Sequence, residues 1–83
     1  MKGDKELAIT YLAQLIERRS TEDDFNDIAA LLNEKQDFLE LIKYAEKWYQ
    51  WDNSNKFAIQ YVILGAIQTK NKTLQTKYEN ILK

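Results

Sequence analysis

The chain has 83 residues, a net charge of −1, and no cysteine, histidine or proline. That length allows one small core. The missing residue types remove disulfides, metal–thiolate sites, the usual general base and the commonest transition-metal ligand. A near-neutral charge calls for no nucleic-acid partner, and two glycines, Gly3 and Gly65, are too few to punctuate a sandwich or barrel.

The elements that follow in chain order are helices of a single domain over residues 1–83. Lys2-Gly3-Asp4-Lys5-Glu6 is polar and unlike a secretory leader, which points to a cytoplasmic chain. The first helix is predicted from about Lys5 to Arg19, with Asp4 as N-cap. Leu7, Ala8, Tyr11, Leu12, Leu15 and Ile16 recur at helical spacing as its buried stripe. Ser20 or Thr21 caps a second helix whose first turn carries Glu22, Asp23 and Asp24, where the macrodipole favours acids. Its apolar face is Phe25, Ile28, Ala29 and Leu32.

A third apolar face follows: Phe38, Leu41, Ile42, Ala45, Trp48 and Tyr49. At about 100° per residue the second and third faces point roughly 150° apart, so a straight helix over residues 22–51 cannot bury both. A break is therefore predicted at residues 33–36, with Asp37 as the next cap and Glu40 completing a capping box. Ser54 or Asn55 caps a fourth helix running to about Lys70. It is apolar on nearly all sides, which predicts a central position with Phe57 and Leu64 packed inside. Asn71-Lys72 form a turn, Thr73 caps, and Leu74, Tyr78, Ile81 and Leu82 mark a short last helix. The expected architecture is an all-α antiparallel four-helix bundle, with either a fifth short helix or a break near residues 33–37.

The functional signals are few. Residues 57–67 are the most apolar stretch, but eleven residues cannot span a bilayer that needs about 20. The only serines, Ser20 and Ser54, sit at caps with no histidine to activate them, and Glu22, Asp23, Asp24 and Asp27 lack the spacing of a calcium loop. No catalytic, cofactor-binding or metal-ligating set is legible. What stands out is WYQWDNSNKF, residues 48–57. Tyr44, Trp48 and Trp51 follow i, i+4, i+7 spacing and form one stripe, in which Trp48, with Tyr49 on the core face, lies between the core and the flank that Tyr44 and Trp51 share. Either the last helix covers that stripe, or it is a part-exposed aromatic patch for a protein or membrane surface. Residues 53–83 hold five lysines against Glu79 alone. Lys70, Lys72 and Lys77 are either a solvated face or a contact for anionic groups.

The arrangement in residues 53–83 resembles the immunity proteins of pediocin-like (class IIa) bacteriocins, the enterocin A immunity type of lactic acid bacteria. A turn leads into an apolar helix, then Thr69-Lys70-Asn71-Lys72, then Tyr78-Glu79-Asn80-Ile81-Leu82. Residues 5–32 match in amphipathic rhythm alone. The segment from Ile28 to Asn53 is longer than the family's usual one, and members often continue beyond the position of Lys83. The resemblance implies a cytoplasmic four-helix bundle, in part membrane-associated, with no enzymatic activity. It would protect the producer through protein–protein contact with a membrane permease receptor holding bound bacteriocin. Tyr44, Trp48, Trp51, Lys70, Lys72 and Lys77 are the expected contact residues. The other reading of the same features is a small non-catalytic regulatory or phage-encoded interaction protein, an inhibitor or antitoxin.

Overall fold

The computed structural model describes residues 2–82, and side chains from Lys5 to Leu82. The chain forms α1 (Lys2–Arg18), α2 (Glu22–Lys35), α3 (Phe38–Trp51), α4 (Lys56–Gln68) and α5 (Lys72–Leu82), with no strand among the described residues. Each helix packs on the one before and the one after it, so α3 lies in the middle of the row. The expected all-α bundle with a fifth short helix is what forms.

The predicted break falls where the two apolar faces require it. Gln36 turns left-handed at φ 63°, its N–H donates to Asn33 O, and the Asp37 N–H donates to Leu32 O, both at 3.0 Å. This is a Schellman ending, which satisfies the last carbonyls of α2. Asp37 then opens α3, its Oδ1 accepting the Glu40 N–H at 3.4 Å. The capping box is only half made. The Asp37 N–H is already used, and the Glu40 carboxylate reaches Lys43 at 3.8 Å instead.

The same ending recurs after α4. Lys70 sits at φ 59°, and the Asn71 N–H donates to Ala66 O at 2.8 Å. Asn71 Oδ1 accepts the Leu74 N–H at 3.1 Å, so Asn71 caps α5 and the expected cap, Thr73, lies inside the helix. Thr21 caps α2 through the Asp24 N–H. Asp4 is not the cap of α1, whose backbone is already helical at Lys2; the Asp4 side chain lies outside the described residues.

Gln36 and Lys70 both hold a conformation that costs a residue with a Cβ about 1–2 kcal/mol, offset in part by the lower chain entropy of a non-glycine residue. Gln36→Gly and Lys70→Gly are each expected to stabilise the fold by about 0.5–1 kcal/mol. A urea melt of each variant checks this, and a lowered midpoint would mean that the side chain makes a contact outweighing the strain.

The core draws Leu12 and Ile16 from α1, Phe25, Ile28, Ala29 and Leu32 from α2, Leu41, Ala45 and Trp48 from α3, Ala58, Ile59, Val62 and Ala66 from α4, and Tyr78 from α5. Four apolar positions are less covered than expected. Leu7 is 70% and Tyr11 62% exposed, because α1 ends the row and buries only a narrow strip. Phe57 is 62% exposed, and Leu64 is only half-buried. The apolar circumference of α4 suggested a central helix. It packs on α3 and α5 along one arc; on the opposite arc Phe57 and Ile67 stand open, and Leu64 packs in part against the core.

Two contacts fix how α3, α4 and α5 meet. Gly65 is buried in α4 where α3 comes close: a Cβ there would stand 2.6 Å from Ile42 Cγ1 and 3.3 Å from the Phe38 carbonyl oxygen. Tyr78 carries α5. Its hydroxyl donates to Glu46 Oε2 at 2.9 Å, and its ring meets Tyr49 edge-on at 5.4 Å. Burial, with the hydrogen bond to Glu46 and its charge, raises the Tyr78 pKa well above its ordinary value of 10.0. A raised folded pKa contributes stability that is complete below about pH 10 and is lost as pH rises through the folded pKa. The stability advantage of the native chain over Tyr78→Phe should therefore be about 1 kcal/mol near neutrality and shrink above about pH 10. Denaturant melts at neutral and alkaline pH test it; an advantage that grows with pH would exclude the buried hydroxyl as its source.

Candidate functional site

The aromatic stretch Trp48–Phe57 is built around the turn between α3 and α4. Asp52 ends α3 and folds its Oδ1 back to accept the Ser54 N–H at 3.3 Å and the Ser54 hydroxyl at 2.8 Å. Of the two candidate caps, Asn55 is the one used: its Oδ1 accepts the N–H groups of Phe57 and Ala58 at 2.9 and 3.2 Å. Its Nδ2 donates to Glu22 Oε1 at 3.3 Å, tying the start of α4 to the start of α2. That cross-link explains why a polar asparagine is buried in the turn.

The stripe Tyr44–Trp48–Trp51 does not survive as one surface. Trp48 is buried, with Phe25 stacked parallel at 6.0 Å and Tyr61 tilted at 6.3 Å. It leaves the candidate contact set because α2 and α4 enclose it. Its Nε1 is buried and makes no hydrogen bond within the described residues. Trp51 leans over Phe25 at 5.6 Å with 48% of its surface open. The last helix does not cover the stripe as one reading held: α5 packs Tyr78 on Tyr49, on a different flank of α3.

Tyr44 is half-buried and forms one wall of an open groove of about 360 Å³ between α1 and α3. Ile9, Ala13 and Leu32 line it as apolar residues, and Glu17, Lys35, Glu40 and Lys43 supply charges. The Lys43 ammonium lies 5.3 Å from the centre of the Tyr44 ring, and Lys35 pairs with Glu6 at 2.6 Å. Their hydrogen bond lowers the Glu6 pKa and raises that of Lys35. Thr10, Gln14 and Asp37 complete the lining, so apolar and polar side chains share the groove, a mixture compatible with a protein contact surface. No group of three or more metal-ligating side chains occurs among the described residues.

Lys70, Lys72 and Lys77 are all exposed, and none joins an ion pair among the described residues. Lys77 lies 5.6 Å from the centre of the Tyr78 ring. Lys70 and Lys72 flank the end of α4 that packs on Phe38 and Ile42, at the opposite end of α3 from Trp51. The structure thus separates the aromatic and basic candidates. The groove was not legible in the sequence because its two walls, α1 and α3, are brought together only by the fold; Tyr44 on the flank of α3 was its one visible trace.

No family model matches the chain, and no curated protein or solved structure matches it significantly.

Proposed function

We propose that this protein acts by contact and not by catalysis, as an immunity protein of the pediocin-like bacteriocin type. It would shield its producer by binding a membrane receptor with its bacteriocin at the cytoplasmic side. The supporting observation is the α1–α3 groove, whose mixed apolar and charged lining and Tyr44 wall suit a protein segment, with Trp51 half-open on the same helix. The resemblance in residues 53–83 supplies the specific role. The mixed charge of the lining, Glu17, Asp37 and Glu40 beside Lys35 and Lys43, equally suits a soluble peptide. That favours a regulatory inhibitor or antitoxin as the second reading.

Expression in a bacteriocin-sensitive strain, followed by challenge with a panel of pediocin-like bacteriocins, tests the proposal. Protection against at least one is expected, weakened by Tyr44→Ala and Trp51→Ala while the fold is kept, since interface energy concentrates in such aromatic anchors. Full sensitivity to the whole panel, with the protein shown to accumulate, would sink the immunity reading and leave the regulatory one.

A further inference from the structure

The face of α4 turned away from the core has the wrong chemistry for water. On a helix with one side open to solvent that arc is normally polar. Here Ala58, Ile59, Val62, Gly65 and Ala66 face inward, while at 100° per residue Phe57, Gln60, Leu64 and Ile67 fall on the opposite arc. Phe57 is 62% and Ile67 47% exposed, and Leu64 between them packs in part against the core and leaves only its outer part open. The helix carries no acid. Lys56 stands at one end and Lys70 and Lys72 beyond the other, all exposed and free of ion pairs among the described residues. The acids at the α3–α4 turn, Glu22 and Asp52, accept hydrogen bonds from Asn55 and Ser54.

We propose that this face docks α4 on an anionic phospholipid bilayer, the helix lying in the plane of the interface. The exposed side chains enter the headgroup–acyl boundary, and the lysines bury their stems while their ammonium groups meet lipid phosphates. A second copy of the chain fits worse. An antiparallel pairing of two such helices sets the lysines at one end of a copy against those at the other end of its mate, with no acid on either helix. A folded acidic protein would satisfy the lysines, but the face is a convex cylinder with only a shallow depression of about 200 Å³ beside Phe57. A fluid surface needs no shaped counterpart. The inference deepens the membrane setting of the proposed function and rests on it only for that setting.

The test is co-sedimentation of the purified full chain with vesicles of phosphatidylcholine alone or mixed with phosphatidylglycerol. Partition onto the phosphatidylglycerol vesicles is expected, with little on phosphatidylcholine and loss at high salt. Lys56→Gln and Lys70→Gln should each weaken it about five-fold. Phe57→Ser with Ile67→Ser should reduce it at least ~10-fold while a thermal melt shows the chain still folded, its midpoint lowered modestly because about half of Ile67 is covered. Absence of partition at low salt, or full partition by the Phe57/Ile67 double variant, overturns the inference. So does dimerisation in light scattering that the same double variant abolishes, which would assign the face to a second copy. Retention on immobilised polyglutamate without vesicle binding overturns it in favour of an acidic protein. Vesicle partition is read without bacteriocin. A chain that fails the bacteriocin challenge but partitions therefore keeps the docking face, and one that protects but ignores vesicles loses the docking face alone.

Discussion

Trp48→Ala should lower the stability of this protein by about 3–5 kcal/mol, the range for deleting a large buried aromatic. The ring is enclosed between Phe25 of α2 and Tyr61 of α4, so its loss empties the place where three helices meet. A domain of this size has a total stability on the order of 5–10 kcal/mol, and the variant should be partly unfolded near 37 °C. Trp51→Ala, three residues on, should cost about 1 kcal/mol, because roughly half of the ring is in water and the rest leans on Phe25. Urea denaturation of both variants decides the matter. Equal losses would mean that Trp51 belongs to the core and is not available to a partner.

The second large effect is expected at Gly65. Gly65→Val should destabilise by about 1–3 kcal/mol, although glycine inside a helix is itself a liability of about 1 kcal/mol. The added Cβ would stand 2.6 Å from Ile42 Cγ1, which is too near the α3 backbone to swing aside as a flexible tip would. The Phe38 carbonyl oxygen at 3.3 Å closes the other escape, and the two Val methyl groups have still less room. Combining Gly65→Ala with Ile42→Ala should recover stability relative to the sum of the single variants, since the second change removes the atom that the first would strike. Strict additivity of the two would show that α3 and α4 do not approach closely at this point.

Both effects bear on function through α3. It carries Tyr44 into the groove, Trp48 into the core and Trp51 to the surface, all within two turns of helix. Variants at Tyr44 and Trp51 can therefore be judged for binding only beside melts. A change that loosens α3 against α2 or α4 would move the groove wall and mimic the loss of a contact.

Residue type and spacing alone determined the class of this fold and most of the ends of its helices, the starts of α1 and α5 excepted. The 150° offset between two apolar faces required the break at residues 33–36, and short polar side chains marked Asp37 as a cap and narrowed two others to Ser20 or Thr21 and Ser54 or Asn55, of which the fold uses Thr21 and Asn55. These are local matters: a helix face and a cap depend on residues within about one turn, which the sequence lists side by side. Tertiary structure decided the rest. Periodicity shows that Leu7, Tyr11, Phe57 and Leu64 are apolar, but not whether a neighbouring helix covers them. α1 ends the row, and α4 packs along one arc only. The stripe Tyr44–Trp48–Trp51 is continuous on an isolated helix. Helical angle already turned Trp48 toward the core and Trp51 toward the flank; what closes over Trp48 is Phe25 and Tyr61, which arrive from 23 and 13 residues away in the chain. The groove, the bare face of α4 and the close approach at Gly65 depend on which helices meet. Long-range packing settles that through the total apolar area buried, to which no single segment holds the key.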